Sequence, residues 1–442
     1  MPGRLEFDVT FGRSGGRRQE SDPMRLLVLG DFSGKPVEER TPLASRSPRR
    51  VDPDTIDDVL RRFEPRVTVG GSEIRFQQID DFHPDRLYQR LDLFKALRDT
   101  RAMPPAERDE QVSRLLGAPA ASEATAPPPR PSGFDGLIHD VVAPHIVKDT
   151  SAHIASHRAA TDAAITHEMR KLLHDPAVQR LEAAWRGVRW LISELELDEN
   201  LQLHVFDVTR EELLADLVAS RGKLTETGVY RALVDRLPDG DSWSAFVSLF
   251  QFGPSTADVA LLAALGLIAS KAGGPLLGDA DLALASDSAQ TQGPWHALRR
   301  TEAARWIGLA APRVLLRLPY GERTDPIETF DFEEVVGAPE TGELLWASAS
   351  LAMALLIGKA FTARGWNMEP GDEREIGGLP VYTFVRDGEH DMQPCAERQL
   401  TERDIHSLLS AGLVPIASRR DRDSVVVVRF QSVSDPPAPL AW

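Results

Sequence analysis

The turn that follows the first apolar run of the chain combines residue types that can bind phosphate. The run "LVLGDFSGKP" ends in Lys35 and Pro36, with Gly30 and Gly34 before them. A nucleotide-binding loop has the pattern G-x-x-x-x-G-K-[ST], in which backbone N–H groups surround a phosphate and the last hydroxyl binds magnesium. Here only three residues separate the glycines, and Pro36 has neither the hydroxyl nor an N–H. The spacing favours a structural turn; a nucleotide-dependent enzyme is the less favoured alternative.

Other chemically capable residues do not form a recognisable motif. His153 and His157 have the i, i+4 spacing of zinc ligands on a helix, but no cysteine or HExxH carboxylate accompanies them. Acidic pairs such as those in Asp331–Glu334 are expected by chance among 67 acidic residues. Cys395 has no nucleophile signature beside it, so a buried thiol is the better interpretation. We therefore expect no catalytic residue, no metal site and no cofactor, and hence not an enzyme.

Composition narrows the class of protein. The chain has 442 residues, 42% of them hydrophobic, and a formal net charge of −16. Proteins that bind nucleic acid neutralise phosphates with Lys and Arg, so a nucleic-acid partner is not expected. A single cysteine suits a reducing compartment. The most apolar runs, Leu344–Gly358 and Val259–Ser270, are shorter than the roughly 20 residues that span a bilayer, so we expect a soluble cytoplasmic protein without membrane insertion.

The elements that must position the turn begin with two strands. Leu5–Phe11 alternates apolar and polar residues, which is typical of a strand with one buried face. That apolar face comprises Leu5, Phe7, Val9 and Phe11. Arg25–Gly30 is apolar almost throughout, as in a strand buried on both faces. After them we predict a helix, a hairpin about Gly70-Gly71 and a helix that starts near Pro84: Ile56–Phe63, Arg66–Phe76 and Asp80–Asp99.

A segment rich in alanine and proline divides the chain. Residues 118–133 ("APAASEATAPPPRPSG") contain few large apolar residues and cannot form a core. We therefore predict an N-terminal domain of residues 1–117, a linker of residues 118–133 and a C-terminal domain of residues 134–442.

The C-terminal part alternates helices and strands. Thr166–Leu195 reads as two helices, the second capped by Asp175. Five strands are predicted: Leu201–Val208, Trp243–Phe250, Arg313–Gly321, Gly378–Val385 and Ser424–Phe430. Three further helices are predicted: Thr209–Val218, Ser255–Gly273 and Leu344–Arg364. The alternation predicts an α/β fold with a largely parallel sheet.

The N-terminal part resembles the small sheath subunit of bacterial type VI secretion systems. The resemblance lies in "PMRLLVLGDFSGKPVEER", "IDDVLRRFEPRVTV" and "IDDFHPDRLYQRLDLFKALRDTR", and covers roughly residues 4–117. The "LGDFSG" turn and the "DDFHPD" helix start are characteristic of that family. The resemblance implies that the turn ends a central strand of this half, with Leu26–Leu29 in its core. The residues concerned are Leu29, Gly30, Asp31, Phe32 and Gly34.

The C-terminal part resembles the large sheath subunit of the same systems. The matching stretches include "LLHDPAVQRLEAAWRGVRWLI", "FQFGPSTADVALLAAL", "GLPVYTF" and "LTERDIHSLLSAGLVPIA", within roughly residues 134–432. The helix residues that carry the resemblance are Leu181, Trp185, Arg186 and Gly187. The chain is thus similar to a small and a large sheath subunit fused through the linker. The implied fold is a two-part α/β sheath protomer, with a small N-terminal half and a larger C-terminal half.

The resemblance also implies a mechanical function. Sheath protomers assemble with copies of themselves into a helical tube around an inner tube protein, meet baseplate components, and contract to propel the inner tube. Terminal strands of one protomer complete a sheet of its neighbour, and the two candidates here are Leu5–Phe11 and Ser424–Phe430, with Val425, Val427 and Arg429 in the second. Pairing of both strands within their own domains is the alternative. A non-contractile or baseplate-associated adaptor of the same fold is the alternative function.

One stretch departs from the family. The large subunit carries an N-terminal extension that the disassembling AAA+ ATPase recognises, and "FDGLIHDVVAPHIVKDTS" does not match it. The resemblance therefore leaves recycling by that ATPase open.

Overall fold

The computed structural model describes residues 20–100, 111, 150–238, 241–286 and 291–442. The predicted strand Leu5–Phe11 and the predicted linker lie outside these residues. The chain forms two compact units: a first unit of Met1–Asp81, His174–Tyr320 and Glu334–Trp442, and a second unit of Phe82–Leu173 and Gly321–Glu333. The division into 1–117, 118–133 and 134–442 stays a prediction about sequence segments, because the first unit takes residues from both sides of the linker.

The strands of the described residues all lie in the first unit. In chain order they are β1 (Met24–Gly30), β2 (Arg49–Val51), β3 (Arg66–Val69), β4 (Ser72–Arg75), β5 (Leu201–Asp207), β6 (Ala245–Phe252), β7 (Leu276–Ala280), β8 (Ile307–Ala311), β9 (Val314–Leu315), β10 (Trp346–Ala347), β11 (Glu375–Ile376), β12 (Thr383–Arg386), β13 (Glu389–Met392), β14 (Val414–Ser418) and β15 (Val425–Val427). Nine of them form one sheet in the order β11-β15-β14-β8-β7-β6-β1-β5-β2. Three two-stranded sheets, β3-β4, β9-β10 and β12-β13, complete the set.

The centre of the large sheet is parallel and its margins are antiparallel. β1 pairs in parallel with β5 and β6, and the parallel pairing continues through β7, β8 and β14. β2, β15 and β11 join in the antiparallel sense. The predicted α/β class with a largely parallel sheet is confirmed.

β1 does not lie where the sequence suggested. The predicted strand is present and buried, but it lies between β5 and β6, with Met24 opposite Leu201 and Leu26 opposite Ala245. It is therefore a central strand of a sheet built mainly from the C-terminal half, not the core of a separate N-terminal half. An apolar run indicates burial on both faces but does not identify its neighbours.

The described helices include eleven for which bounds are given. In chain order they are α1 (Ile56–Phe63), α2 (Pro84–Arg90), α3 (Asp92–Thr100), α4 (Thr150–Leu173), α5 (Pro176–Glu194), α6 (Arg210–Ala219), α7 (Gly228–Tyr230), α8 (Thr256–Ala272), α9 (Gly293–Arg299), α10 (Ala349–Arg364) and α11 (Glu402–Ser410). Short 3₁₀ turns lie at Val37–Glu39, Leu43–Ser45, Ile79–Phe82, Leu224–Glu226, Leu282–Ala285, Glu302–Trp306, Thr341–Glu343 and Gly365–Asn367, and a π turn at Arg231–Asp235. Within the described part of the chain, no helix is both long enough and apolar enough to cross a membrane.

Local signals in the sequence located several helix ends correctly. Asp175 caps α5 by accepting hydrogen bonds from Ala177 N and Val178 N. Thr209 and Glu212 form the capping box at the start of α6, each side chain accepting from the other's backbone N–H. These caps involve residues at most three positions apart, which is why sequence shows them.

Other predicted bounds are wrong. The predicted strand Arg313–Gly321 shrinks to the two residues of β9, while β7 and β8, which are the true sheet strands here, were not predicted. Both contain glycine and alanine, residues that are depleted in strands. The predicted helix Asp80–Asp99 is interrupted at Leu91, and the predicted helix Leu344–Arg364 begins only at Ala349, after β10.

Helices cover both faces of the sheet. Leu27 and Leu29 of β1 belong to the core cluster that contains the apolar residues of α8. Leu26 and Val28 are equally buried and, by the alternation of a strand, point to the other face. On that face α10 packs against β6, β7 and β8 and against α5.

The second unit contains α2, α3, α4 and the segment Gly321–Glu333. Asp85, in the first turn of α2, accepts hydrogen bonds from Thr329 N at 3.0 Å and from Glu328 N at 3.1 Å. Tyr88 stacks on Phe330 with ring centroids 4.5 Å apart. The predicted helix start at Pro84 is confirmed, and these contacts fix its first turn to the returning segment.

Candidate functional site

The turn after β1 (Asp31–Lys35, here the β1 turn) has its backbone donors already in use. Phe32 N and Ser33 N donate to Asp207 Oδ1 at 2.8 and 3.0 Å. Gly34 N donates to Asp31 Oδ1 at 2.8 Å. A phosphate-binding loop needs such N–H groups free for the phosphate. Because two carboxylates take these donors, the β1 turn cannot cradle a phosphate.

Arg40 balances the negative charge of the two carboxylates, Asp31 and Asp207, that accept from the β1 turn. Its side chain is 2% exposed and pairs with Asp31 and with Asp207, the last residue of β5. Its Nε donates to Lys35 O at 2.7 Å. Burial raises the pKa of Asp207, and the nearby Arg40 acts against that rise. The arginine therefore ties the end of β1, the end of β5 and the chain after the turn into one ionic contact.

Trp185 of α5 connects the two sets of residues that carried the family resemblance. Its indole Nε1 donates to Phe32 O at 2.9 Å, and the indole is fully buried. Phe32 and Trp185 meet edge to face at 5.2 Å, and Phe63 of α1 lies 5.9 Å from Trp185. The predicted turn residues and the predicted helix residues thus form one aromatic contact, which the sequence did not predict.

Glycines in this region stand where a side chain has no room. Gly34 has φ +59°, and a Cβ there would lie 2.1 Å from Arg66 O. A Cβ on Gly30 would lie 2.7 Å from the side chain of Leu249. On α5, a Cβ on Gly187 would lie 2.4 Å from Leu351 of α10. Close approach of neighbouring elements, more than special dihedral angles, explains these glycines.

A second buried contact surrounds Arg317. Its guanidinium donates to Glu182 Oε1 at 2.9 Å and to Glu334 Oε2 at 2.8 Å, and it lies over the Tyr320 ring at 4.2 Å from the centroid. Glu182 and Glu334 are at most 1% exposed. Two buried carboxylates share one arginine, so each needs further partners.

Those partners are Arg186, Tyr320 and His174. Together with Arg317, Glu182 and Glu334 they form what we call the Arg317 cluster. Arg186 donates to Glu182 Oε1 at 2.6 Å and to the Tyr320 hydroxyl at 2.8 Å. Tyr320 N donates to Glu334 at 2.8 Å, and His174 Nε2 lies 3.5 Å from the same carboxylate. Burial alone would raise the pKa of Glu334, but Arg317 and the other donors outweigh it and lower that pKa to about 2. Arg186 is thus a partly buried ion-pair residue at the margin of the core.

The C-terminal strand candidate is paired within the chain. Val425 and Val427 are buried in β15, which pairs with β14 on one side and β11 on the other. Arg429 follows the strand and is exposed. In the described structure this strand pairs within its own chain, which is the alternative to exchange between protomers. Exchange at this position would require the two-residue β11 to separate from β15. Exchange through Leu5–Phe11 stays a prediction.

The other chemical candidates show no assembled site in the described residues. The side chains of His153 and His157 lie outside what the structure describes. No group of three His, Cys, Asp or Glu side chains is arranged for a metal ion among the described residues. Cys395 is buried, and burial raises the pKa of its thiol to about 11, which keeps it from the reactive thiolate form.

Sequence reasoning missed the charged residues that hold this region. Asp207 and Arg40 are 167 positions apart, and Arg317 and Glu182 are 135 positions apart. One signal was available: Asp207 lies near the end of the predicted strand Leu201–Val208, at the edge where a parallel sheet places its functional groups.

Two family models match the chain. The model described as the tail sheath N-terminal domain, VipB or EvpB, matches residues 156–291 and 280–434. The model described as type VI secretion system VipA matches residues 4–103. The first match alone covers more than half of the chain.

A curated relative and a solved structure are also similar. The type VI secretion system sheath protein TssC1 of Pseudomonas aeruginosa is 30% identical over 318 residues, which are 66% of this chain and 63% of that protein. The chain thus spans less than two thirds of the length of this relative. One chain in the cryo-EM structure of the anti-feeding prophage baseplate is 15% identical with a TM-score of 0.31, covering 57% of this chain and 51% of that one. So low a TM-score carries no weight for fold or function.

Proposed function

The chain belongs to the sheath family of type VI secretion systems, and we propose that it is the structural protomer of a contractile sheath. Copies of the chain would polymerise into a helical tube around an inner tube, and contraction of the tube would propel the inner tube. The proposed partners are further copies of the chain, an inner tube protein and baseplate components. The proposed compartment is the cytoplasm. Recycling by an AAA+ ATPase is not included, because residues 134–151 do not match the recognition extension.

One observation carries the proposal. β1 comes from the segment that matches the VipA model, and its two neighbours β5 and β6 come from the segment that matches the VipB model. The two sheath-like segments therefore share one sheet, with Trp185 hydrogen-bonded to the β1 turn. A single chain with this sheet supplies both parts of a sheath protomer.

The test is electron microscopy of the full chain produced together with its inner tube protein. We expect tubes of regular helical repeat in negative stain. Chains that stay monomeric under these conditions, although circular dichroism shows them folded, would contradict the proposal.

A pair of variants tests strand exchange within that assembly. Val9→Asp places a charge on the apolar face of the predicted strand Leu5–Phe11, and Thr10→Asp places the same charge on its polar face. We expect Val9→Asp to abolish tubes while the protein stays folded, and Thr10→Asp to leave tubes intact. Tubes formed equally by both variants would remove the first strand from the exchange.

The alternatives make different measurable claims. A non-contractile or baseplate-associated adaptor would be present in a few copies at one end of the isolated machine, whereas a sheath protomer is present along its length. A nucleotide-dependent enzyme needs a free phosphate loop, and the β1 turn has its N–H donors occupied by Asp207 and Asp31. Calorimetry with ATP at millimolar concentration is expected to show no binding.

A further inference from the structure

The order of the central strands defines a place for a ligand. Five central strands lie side by side in the order β5-β1-β6-β7-β8. When these five are renumbered by their order along the chain, the spatial order is 2-1-3-4-5. In doubly wound sheets of this order, ligands bind outside the carboxyl ends of the strands where the winding reverses, which here lies between β1 and β6. The molecule has a cleft at this place, and nothing in the sheath function described above uses it.

The cleft consists of two adjoining recesses, of about 920 and about 340 Å³. The larger recess begins beside Asp31, and both are lined by Gln251, Asp279 and Arg313. We call the whole the switch-point cleft. Its two recesses together exceed the roughly 300–1,000 Å³ of a typical small-molecule pocket. Its apolar lining includes Leu249, Phe250, Trp346 and Leu351.

Asp279 is a buried carboxyl group with one oxygen left over. It is 3% exposed, at the carboxyl end of β7. Oδ1 accepts hydrogen bonds from Ser348 Oγ at 2.6 Å and from Ser350 N at 3.0 Å. Among the described residues no group donates to Oδ2, although Asp279 lines both recesses of the cleft. Oδ2 is therefore open to a donor supplied from outside, on a carboxylate that lines both recesses.

The nearest cation is already committed elsewhere. Arg313 donates to Glu397 through Nε at 2.9 Å and Nη2 at 2.7 Å, a two-point contact that balances its charge. Arg398 and Asp281 also line the smaller recess, and among the described residues no ion pair involves Asp279. This end of the switch-point cleft therefore carries one acidic group more than it has basic groups.

We propose that the switch-point cleft binds an extended peptide segment that places a lysine or arginine side chain against Asp279 Oδ2. The apolar lining accepts the residues on either side of that basic one, and the two recesses together exceed the volume of a typical small-molecule pocket. The inference does not depend on the sheath function and names a binding site beyond it.

The protonation of Asp279 gives the binding a pH signature. Burial raises the pKa of Asp279 to about 7, against the opposing effects of Ser348, Ser350 and Arg313, while Glu397 adds to the rise. A bound cation favours the ionised carboxylate, so binding releases a proton below that pKa. The affinity for a basic peptide should therefore increase about tenfold from pH 6 to pH 8, since one unit of pH below the pKa changes the ionised fraction about tenfold.

The experiment uses the immobilised full chain and two pools of capped octapeptides. The pools share random flanking positions and differ only in a fixed central lysine or glutamine, and retained peptides are counted by mass spectrometry at pH 8 and pH 6. We expect the lysine pool to be enriched at least tenfold over the glutamine pool at pH 8, and much less at pH 6. Asp279→Asn should remove both the enrichment and its pH dependence while the protein keeps its circular dichroism spectrum.

A matched pair of variants covers the case in which Asp279→Asn fails to fold. Gln251→Lys adds a positive charge at the exposed rim of the cleft, and Gln78→Lys adds the same charge at an exposed position that does not line it. We expect the first to weaken retention of the lysine pool and the second to leave it unchanged. Equal retention of both pools by the wild-type chain would overturn the proposal. So would capture of free lysine amide as strong as that of peptides, because the site would then take a small amine.

Discussion

Two carboxylates at the same edge of the sheet, Asp207 at the end of β5 and Asp279 near the end of β7, differ in their charged surroundings. Asp207 accepts from two N–H groups of the β1 turn and has Arg40 as its own cation. Asp279 accepts from Ser348 Oγ and Ser350 N, but the nearby Arg313 is paired with Glu397 instead, and no described Lys or Arg forms an ion pair with Asp279. The first arrangement joins parts of the chain to each other through a cation. The second leaves a carboxylate whose charge no described cation balances.

The largest effect is expected at Gly34, because a substitution there should disrupt the β1 turn and its hydrogen bonds to Asp207. Gly34→Ala would bring a Cβ to 2.1 Å from Arg66 O and impose a side chain at φ +59°. We expect a loss of stability beyond the roughly 4–5 kcal/mol that marks exceptional single substitutions. Urea unfolding, or a failure to obtain soluble protein, measures it.

Gly70 supplies the control for that substitution. It has nearly the same φ, +57°, but a Cβ there would meet nothing within 4 Å. Gly70→Ala should therefore cost only the backbone strain of about 1 kcal/mol. Equal losses for the two variants would show that the dihedral angle, not the close approach to Arg66, explains Gly34.

The next largest effect is expected from the Arg317 cluster, the most buried of the self-satisfied contacts. Arg317→Met leaves Glu182 and Glu334 buried without their shared cation. Removing one partner of a buried ion pair costs about 3–5 kcal/mol. Arg313→Met breaks a half-exposed pair with Glu397 and should cost at most about 1 kcal/mol. Chemical denaturation of both variants measures the two losses in the free energy of unfolding. Equal losses would contradict this ranking.

Asp279→Asn is expected to change how the free energy of unfolding depends on pH, which tests the environment of Asp279 directly. The folded-state pKa of about 7 lies above the usual value, so the folded chain keeps a proton that the unfolded chain has lost. The contribution to stability is fully present below about pH 4 and is lost as the pH rises through 7. Between these values the wild type should lose up to about 1.4 kcal/mol per pH unit more than Asp279→Asn. Parallel urea melts from pH 5 to pH 8 measure the difference, and identical slopes would refute it.

The smallest effect is expected at Lys35, the residue that made the β1 turn resemble a phosphate loop. Among the described residues its ammonium pairs with Glu64, whose side chain is 74% exposed. Lys35→Ala should change the free energy of unfolding by less than about 0.5 kcal/mol and leave assembly unchanged. A folded Lys35→Ala variant that no longer assembles would show that the turn does more than join strands.

Sequence revealed local features and missed distant ones, for a physical reason. The caps at Asp175 and Thr209 depend on neighbours within three residues, so residue types alone located them. Burial of Met24–Gly30 was readable from its apolar run, but its insertion between β5 and β6 was not. The cluster around Arg317 was equally hidden, because ion pairs between distant segments leave no periodic signal.

Because β1 lies between two strands that come later in the chain, the central sheet can be completed only late in synthesis. β1 is among the first described residues to leave the ribosome, yet β6, the later of its two partner strands, ends at Phe252. Synthesis at about 5–20 residues per second separates these events by on the order of 10–45 s. Throughout that interval the edge of β1 that pairs with β6 has no partner strand, although β5, which ends at Asp207, is complete earlier. Cutting the chain between its two halves would turn the closing step into a concentration-dependent encounter.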